Sequence, residues 1–388
     1  MSHKTYLQEV NKIRKSIYGT PFEDIQNLGL LGTFSLVSAN ILRFLDRKYE
    51  EHYKLIQDIQ FHRALSALDQ YFPHKLQQLK VKDNTGAVTS KSEKGHIFVT
   101  FHTGSYRLFI QHLNLSALPF CLVTEGKYIE EQGAQTQILF KQLNAENKDL
   151  EILEAENPRL LFELMKRINT GISVVFFIDG NTGVSEKKLE ENKNLLKIDF
   201  LNHNIYARQG ISMLAYLSKA QVILALVKRN KNLSDRISFR KLNTKKYEKY
   251  NRNDYANALT KSLFEALEGF LKKYPEQWEG WFYIQKFFEQ EVPEALSNHA
   301  VIEKFLGGGE IVLGVSKYLQ LVKYDEDNVF VITKKDYQIM KITPFLYDVL
   351  LYFQTPKSIT ANNDVIVNEQ AVGWEFVEEL IEMDFLSA

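Results

Sequence analysis

The distribution of apolar and polar residues divides the chain into a helical opening, a central part and a C-terminal part. From Lys4 to about Phe72, apolar residues recur at helical spacing, for example in EEHYKLIQDIQ. This pattern predicts a helical N-terminal segment over residues 1–72. Residues 73–95 lose the periodicity and gather Lys, Ser, Thr and Gly, which is typical of a connecting segment.

Short β-rich runs follow in the central part. They are His96–Phe101, Leu118–Thr124, Ile172–Ile178 and Val222–Val227. Helical patterns separate them, including NPRLLFELMKRINTG before the third run and residues 212–219 before the fourth. Strands that alternate with helices favour a parallel arrangement. The predicted class is therefore α/β, with a mixed, largely parallel sheet flanked by helices.

The C-terminal part begins after Gly307–Gly309, which we interpret as a linker. Two β-like runs, a helix from about Pro344 to Phe353, an extended segment and a closing helix follow in that order. This order predicts a small winged-helix-like domain. The predicted organisation is one domain over residues 1–306 and a second over residues 310–388.

Chemistry-bearing residues stand just past the predicted strands. They are His102, Glu125, Asp179, and Lys228 with Arg229. Ligands collect beyond the carboxyl ends of parallel strands, so these positions are candidates for one site. His102 leads into Thr-Gly-Ser, a tight turn that would present the imidazole as a general base. The alternatives are that His102 caps a helix or fills a turn, and that Asp179 belongs to a structural Asp-Gly-Asn turn.

Charge and cysteine content narrow the function classes. The chain holds 48 basic and 48 acidic residues, so it lacks the basic excess that drives non-specific nucleic-acid binding. We therefore expect no nucleic-acid partner. The single cysteine, Cys121, excludes an internal disulfide and a Cys-rich zinc site, and together with an N-terminus lacking an apolar signal core it favours a cytoplasmic location.

Two segments have alternative interpretations. Leu28–Leu42 is nearly uncharged but shorter than the roughly twenty residues of a spanning helix, so we expect no transmembrane anchor. It is either a buried helix, which we favour, or one that rests on a bilayer surface, which would give peripheral membrane contact. Lys228 to Arg252 carries ten basic residues against two acidic ones. This basic stripe either attracts an anionic partner or is an exposed hairpin with edge lysines.

Four motifs in order resemble the lysophospholipid acyltransferase superfamily, in its lipid A biosynthesis (lauroyl/myristoyl) branch. They are VTFHTGSYRLF, MKRINTGISVVFFIDGNTG, IDFLNHNIYARQGISMLAYLSKAQVILALVKR and YPEQWEGWFYIQKFF. Together they span roughly residues 95–288. The resemblance departs at Arg107, where the family pattern places Asp or Glu five positions after the histidine. A cation there should depress histidine basicity, so Glu125 or Asp179 would have to substitute as the acidic partner.

The resemblance implies transfer of a fatty acyl group from an acyl-carrier-protein or coenzyme A thioester to an amine or hydroxyl. His102, Asp179 and Glu125 are the candidate catalytic residues. The candidate substrate-binding residues are Arg107, Arg208, Lys228 and Arg229. No bound cofactor and no metal are expected, since the acyl thioester acts as co-substrate. The basic stripe would suit an acidic carrier protein. The alternative is a catalytically degenerate protein that acts as a peptide-binding scaffold.

A second resemblance concerns residues 310–388. YLQLVKYDEDNVFVITKKDYQIMKITPFLYDVLLYF and VGWEFVEELIEMDFLS resemble the peptide-binding winged-helix domains related to the pyrroloquinoline-biosynthesis chaperone. This resemblance implies that a leader peptide adds as a strand to a small sheet, so that the acyl acceptor would lie on a ribosomal peptide. The alternative is a dimerisation or packing domain.

Overall fold

The computed structural model describes residues 3–19, 21, 28–45, 47–89, 93–116, 118–143, 149–180, 195–288, 303, 309–323, 328–333, 339–360 and 365–387. The chain forms two compact units. The first unit comprises Met1–Gly19 and Phe44–Glu289, and the second comprises Thr20–Arg43 and Gln290–Ala388.

The regular elements are numbered in chain order. The helices are α1 (His3–Tyr18), α2 (Leu28–Leu45), α3 (Tyr49–Asp69), α4 (Pro73–Gln77), α5 (Arg107–Leu115), α6 (Gly126–Leu143), α7 (Leu160–Asn169), α8 (Gly210–Ser218), α9 (Arg252–Leu271), α10 (Pro344–Tyr352) and α11 (Trp374–Glu382). The strands are β1 (Lys80–Asp83), β2 (Ile97–Thr100), β3 (Phe120–Thr124), β4 (Glu151–Glu154), β5 (Ser173–Phe177), β6 (Leu195–Phe200), β7 (His203–Arg208), β8 (Val222–Arg229), β9 (Asp235–Lys241), β10 (Ile311–Val315), β11 (Leu319–Lys323), β12 (Val329–Thr333), β13 (Ile339–Ile342), β14 (Lys357–Ile359), β15 (Val365–Val367), β16 (Gln370–Val372) and β17 (Leu386–Ser387). Short 3-10 segments occupy Thr244–Tyr247, Pro275–Gln277, Glu279–Phe282 and Ile284–Phe287.

A seven-stranded sheet forms the centre of the first unit, in the order β1-β9-β8-β2-β5-β3-β4. All neighbouring strands in it are parallel except β8 and β9, which run antiparallel. The predicted class, a mixed and largely parallel α/β fold with a helical N-terminal segment, is therefore confirmed. The four predicted β-rich runs form β2, β3, β5 and β8, and helices connect them.

Two elements differ from the sequence-based predictions. The segment 73–95, interpreted as a connection, contains α4 and the edge strand β1, whose exposed Lys-Val-Lys run carries no apolar alternation. The fourth predicted run continues through Lys228 and Arg229, because Arg229 pairs with Asp235 of β9 in the antiparallel register. Lys228 and Arg229 therefore lie inside a strand, which corrects the prediction that they stand past its end.

The core of the first unit lies between the sheet and its helices. All four residues of β2 are buried, and Phe98 packs with Val175 of β5 and Ile223 of β8. Phe109 and Leu113 of α5 belong to the same apolar cluster. Burial of these side chains fixes α5 against the sheet, and α5 begins only a few residues after His102.

The second unit is a small α+β assembly. The strands β11, β12 and β13 form one antiparallel sheet, β10 pairs with β14 and β17, and β15 and β16 form a hairpin. The helices α10 and α11 pack on these strands through buried residues such as Leu350 and Leu380. The Thr343 hydroxyl caps α10 by accepting the Leu346 N–H at 3.1 Å. The order of strands, helix, extended segment and closing helix agrees with the order predicted for a small C-terminal domain.

The division of the chain differs in two segments from the predicted boundary. Residues 1–306 were expected to form one domain, but Thr20–Arg43, with most of α2, belongs to the second unit, and that unit resumes at Gln290. The Ser35 hydroxyl donates to Gln320 Oε1 at 2.9 Å, a contact between distant parts of the chain that no local pattern reveals. The interpretation of Leu28–Leu42 as a buried helix holds for one face, since Val37 and Ile41 have no exposed surface, whereas Leu30 and Leu42 are 51 % and 54 % exposed. Gly307 and Gly308 of the expected linker lie outside the described residues.

The basic stripe, Lys228 to Arg252, covers the end of β8, all of β9 and the start of α9. Its cations are exposed except for Lys228 and Arg229. The strand β9 is not an edge, because β1 pairs with it on its outer side. The expected hairpin is present, because β8 and β9 pair antiparallel, but its edge position is wrong, and the edge lysines of this sheet are Lys80 and Lys82 on β1.

Candidate active site

His102 lies where the sheet and the turn after β2 meet. The Thr103 residue forms an isolated bridge with Trp278, and the Glu279 N–H donates to the His102 carbonyl at 3.0 Å. Gly104 has a φ of +53°, and a Cβ there would lie 2.7 Å from the Val227 carbonyl oxygen. The turn therefore requires glycine, both for its left-handed backbone and for the close approach of β8.

Asp179 is the carboxylate that contacts His102. The distance from His102 Nδ1 to Asp179 Oδ1 is 2.8 Å, and the His102 backbone N–H donates to Asp179 Oδ2 at 3.0 Å. Trp278 Nε1 also donates to Asp179 Oδ2, at 2.7 Å. These bonds fix a carboxylate on Nδ1, which leaves Nε2 as the nitrogen available to a ligand. The prediction that residues following parallel strands meet at one edge of the sheet is therefore confirmed for His102 and Asp179.

The pKa of His102 lies above its ordinary value. Burial lowers the pKa, but the charge of Asp179, its hydrogen bond and the charge of Glu279 raise it by more. Arg107 lowers it, as expected, but its effect is the smallest of the five. The expected direction of the Arg107 effect therefore agrees with the structure, and Asp179, together with Glu279, supplies the compensating negative charge.

Arg107 faces a carboxylate that sequence reasoning did not single out. Its Nη1 lies 3.7 Å from Glu279 Oε1 and donates to the Ser66 hydroxyl at 3.2 Å. The Tyr106 hydroxyl reaches Glu279 Oε2 at 3.5 Å. Relative to the family pattern, the position five after the histidine carries a cation, and the neighbouring carboxylate comes from Glu279. The Pro-Glu-Gln-Trp motif directly precedes Glu279. The pairing of Glu279 with Arg107, which lies far away in the sequence, could not be predicted from any local pattern.

Glu125 does not contact His102. It lines the same cavity, and its charge acts on Arg208, the last residue of β7. Burial lowers the pKa of Arg208, while Glu125 and Glu156 raise it. Of the two expected acidic partners, Asp179 is therefore the one placed beside the imidazole. Glu125 and Arg208 belong to another part of the cavity wall.

Lys228 and Arg229 do not line this cavity. Lys228 donates to the Tyr274 hydroxyl at 2.7 Å. Arg229 is 1 % exposed and forms a buried ion pair with Asp69 and a contact of 3.3 Å with Asp235. Burial and ion pairing of Arg229 are incompatible with its expected substrate-binding role, whereas Lys228 is half-buried and lies outside the cavity lining.

The Arg229 cluster supports the turn that carries His102. Ser105, in the same turn, hydrogen-bonds with Asp69 and Arg229. The Tyr6 hydroxyl donates to the other oxygen of Asp69 at 2.7 Å, which ties α1 to this cluster. A buried charge cluster thus connects the N-terminal helices, β8 and the active-site turn.

A cavity of about 730 Å³ opens beside His102. Its wall is mostly apolar. The apolar lining includes Ile110, Leu122, Phe140, Leu164, Phe176 and Leu214. Polar groups converge near His102, where Tyr106, Arg107, Glu279 and Tyr283 also line the cavity. The volume and the lining are those of a small-molecule pocket.

Two tyrosines supply neutral donors in this region. The Tyr283 hydroxyl lies 3.4 Å from His102 Nδ1, and the Tyr106 ring packs edge-on against the imidazole at 4.7 Å between centroids. Burial, followed by nearby carboxylates, raises the pKa of both tyrosines well above the usual range. Both hydroxyls therefore remain protonated and able to donate.

The described residues offer neither a metal centre nor a membrane-spanning helix. Over the described residues, no group of three or more His, Cys, Asp or Glu side chains could hold a metal ion. None of the described helices has both the length and the apolar content needed to cross a bilayer. Trp278 and Trp281 are 3 % and 0 % exposed, so they pack in the body and offer no stacking platform.

Comparisons with known proteins leave the family open. No protein-family model matches the chain, and no curated protein matches it. The resemblance to the acyltransferases therefore depends on the four quoted motifs, and the functional conclusion below depends on the geometry of the site.

The opposed effects of Glu279 and Arg107 on His102 predict opposite pH shifts. A general base acts as the neutral imidazole, so kcat/KM should rise with pH through a pKa above the ordinary value of about 6.5. Glu279→Gln removes a charge that raises this pKa and should move the rising limb to lower pH. Arg107→Gln removes a charge that lowers it and should move the limb to higher pH. Limbs that move in the same direction, or not at all, would contradict this assignment.

Proposed function

We propose that the protein is an acyltransferase that moves a fatty acyl group from a thioester to an amine or hydroxyl. The observation that carries the proposal is the His102–Asp179 pair, held at 2.8 Å on the wall of a large apolar cavity. A histidine oriented by a carboxylate is the arrangement that general-base catalysis requires. The apolar cavity provides the space for an acyl chain.

The proposed reaction takes place in two steps. His102 Nε2 removes the proton of the acceptor amine or hydroxyl, whose lone pair attacks the thioester carbonyl carbon and forms a tetrahedral oxyanion. The carbonyl then re-forms, the carbon–sulfur bond breaks, and the leaving thiolate takes the proton from the imidazolium. The products are an amide or ester and a free thiol. Asp179 stabilises the imidazolium through Nδ1 in the interval between the steps.

The oxyanion requires hydrogen-bond donors close to His102. Arg107, Tyr106 and Tyr283 all line this part of the cavity. Arg107 is held by Glu279 and Ser66, so its guanidinium is oriented before substrate arrives. Oriented donors of this kind contribute more than mobile ones, because no reorganisation is needed during the reaction. Arg107 is then an adaptation of the site and not a loss of function.

The donor is an acyl-carrier-protein or coenzyme A thioester. Exposed cations cluster on β1, β9 and the following segment. Lys80 of β1 pairs with Arg236 of β9, and Lys82 pairs with Ser238. Arg240 lies two residues further along β9, on the same face of the sheet. Over the described residues, none of these four cations forms an ion pair. Such a face attracts an acidic protein electrostatically, which fits a carrier protein as the source of the acyl group.

An apolar cavity predicts dependence on acyl chain length. Each added methylene that becomes buried should favour binding by about 0.8 kcal/mol, which is about fourfold in kcat/KM. A series of saturated acyl-CoA donors differing by two methylenes should therefore show kcat/KM rising steeply and then levelling off once the cavity is filled. Thiol release measured with a chromogenic disulfide follows the rate. A flat series would contradict the use of this cavity for the chain.

The acceptor is proposed to be a side chain or amine on a ribosomal peptide that the second unit binds. In that unit, β11 and β13 are the outer strands of their three-stranded sheet, and the described residues supply no further strand beside either. An extended peptide can add to such an edge through backbone hydrogen bonds. The second candidate function, a non-catalytic peptide-binding scaffold, depends on the same edges.

The proposed location is cytoplasmic with peripheral membrane contact. Large exposed apolar side chains stand near the cavity. Leu161 and Leu217 line it and are 43 % and 42 % exposed, and the neighbouring Phe162 is 74 % exposed. An exposed apolar rim of this kind favours contact with a lipid surface or with an acylated partner. Binding to anionic vesicles, measured by flotation, should weaken in Phe162→Ser if the surface is a bilayer.

A further inference from the structure

Arg208 carries a positive charge in the cavity wall, and none of the described carboxylates pairs with it. It ends β7, immediately before the start of α8, and its side chain lines the same cavity as His102. Among the residues that the structure describes, no carboxylate lies within ion-pair distance of it. Its Nη2 atom is buried and makes no hydrogen bond to any residue that the structure describes.

An unpaired guanidinium in such a position is costly for the folded protein. Burial lowers the pKa of Arg208, and the charges of Glu125 and Glu156 compensate only from a distance. Buried donors without partners cost free energy unless a ligand supplies the acceptor. Arg252, at the first position of α9, also lines the cavity. Arg63 and Arg107 of the wall lie within ion-pair distance of Glu279, whereas Arg208 and Arg252 form no ion pair with a described residue and would accept an anion.

We propose that Arg208 binds the phosphate of the pantetheine arm that carries the acyl group. The inference deepens the proposed function and depends on it for the identity of the donor. A guanidinium presents two parallel N–H groups that match two phosphate oxygens, and a buried Arg is suited to this role. The 4′-phosphate is shared by coenzyme A and by the prosthetic group of a carrier protein. One subsite would thus accept both donors and orient the thioester toward His102.

The test compares two ligands that differ only in this phosphate. Binding of 4′-phosphopantetheine and pantetheine is measured by isothermal titration calorimetry on the full chain. Wild-type protein should bind the phosphorylated ligand at least about tenfold more tightly, because a hydrogen-bonded charge pair contributes this much. Arg208→Gln should reduce the ratio to near one, and Arg208→Lys should retain part of it. Arg14→Gln, which removes an exposed cation of α1 outside the cavity, should leave the ratio unchanged.

Further arms distinguish the possible sources of the anion. Adenosine 3′,5′-bisphosphate should not compete with 4′-phosphopantetheine for wild-type protein. If it does compete, and the competition disappears in Arg208→Gln, then Arg208 binds the nucleotide phosphates and the proposal is overturned. In turnover assays, Arg208→Gln should raise KM for acyl-CoA but not for the phosphate-free acyl-N-acetylcysteamine. A rise in KM for the acceptor alone would also overturn it.

Failure of the proposed function would be visible separately. His102→Ala should bind 4′-phosphopantetheine with wild-type affinity, since the phosphate subsite does not include the imidazole. If the wild-type protein shows no turnover but still binds the phosphate through Arg208, acyl transfer is contradicted while the proposed phosphate subsite is supported. Equal binding of the two ligands by wild-type protein would overturn the subsite itself.

Discussion

His102→Ala is expected to lower kcat for acyl transfer by about 10²- to 10⁴-fold, the usual contribution of a positioned general base. The imidazole is the only group in the described cavity wall that combines a carboxylate on one ring nitrogen with a second nitrogen facing no protein partner. KM for the acyl donor should change little, because the proposed site for the acyl chain is the apolar wall, which this substitution leaves in place. Rates are measured as thiol release with acyl-CoA.

Asp179→Asn provides the second half of this test. The amide can no longer accept the Nδ1 proton as a carboxylate does, so the imidazole loses both its orientation and the charge that raises its pKa. The double variant should be little slower than His102→Ala alone, since the two residues act as a unit. His112→Gln, a histidine of α5 outside the cavity, is the matched control. Independent, multiplicative losses in the double variant would show that Asp179 acts elsewhere.

Asp69→Ala is expected to destabilise the protein by about 3–5 kcal/mol, because the buried Arg229 then loses the carboxylate of Asp69 and keeps that of Asp235. Both side chains of this pair have no exposed surface. The same change removes the acceptor of the Tyr6 hydroxyl and of Ser105. The free energy of unfolding of the first unit is measured from its unfolding transition in urea.

A matched variant shows whether this loss of stability is specific to the buried Asp69 or follows from removing any acidic residue of α3. Glu51→Ala removes an exposed carboxylate whose ion pair with Arg47 spans 3.1 Å, and it should cost less than about 1 kcal/mol. If the two variants were equally stable, the buried cluster would not hold the active-site turn. Because Ser105 belongs to that turn, Asp69→Ala should also lower activity under conditions in which it remains folded.

The elements of the central sheet could be predicted because their signals are local. Buried parallel strands are short apolar runs, and the residues that follow them meet at one edge, so His102 and Asp179 were brought together on sequence alone. The edge strand β1 was missed because its exposed Lys-Val-Lys sequence lacks the apolar pattern that marks a strand.

The misassigned cations show what a local pattern cannot supply. Arg229 follows an apolar run and resembles a strand-end ligand, yet Asp69, 160 positions earlier, neutralises it inside the core. Glu279 was not singled out for the same reason, since its partners Tyr106 and Arg107 lie far away in sequence. Pairing of buried charges depends on tertiary contacts, and tertiary contacts of this range leave no periodicity in the sequence.

The most direct measurement is intact-mass analysis combined with thiol release, on mixtures of the purified protein, an acyl-CoA or acyl-carrier-protein donor, and peptide or amine acceptors. The His102–Asp179 mechanism predicts that the acceptor gains the mass of one acyl group for each thiol released, and that both signals disappear in His102→Ala. Release of no thiol above the His102→Ala level with any donor, together with measurable peptide binding, would contradict the acyltransferase function and favour the scaffold.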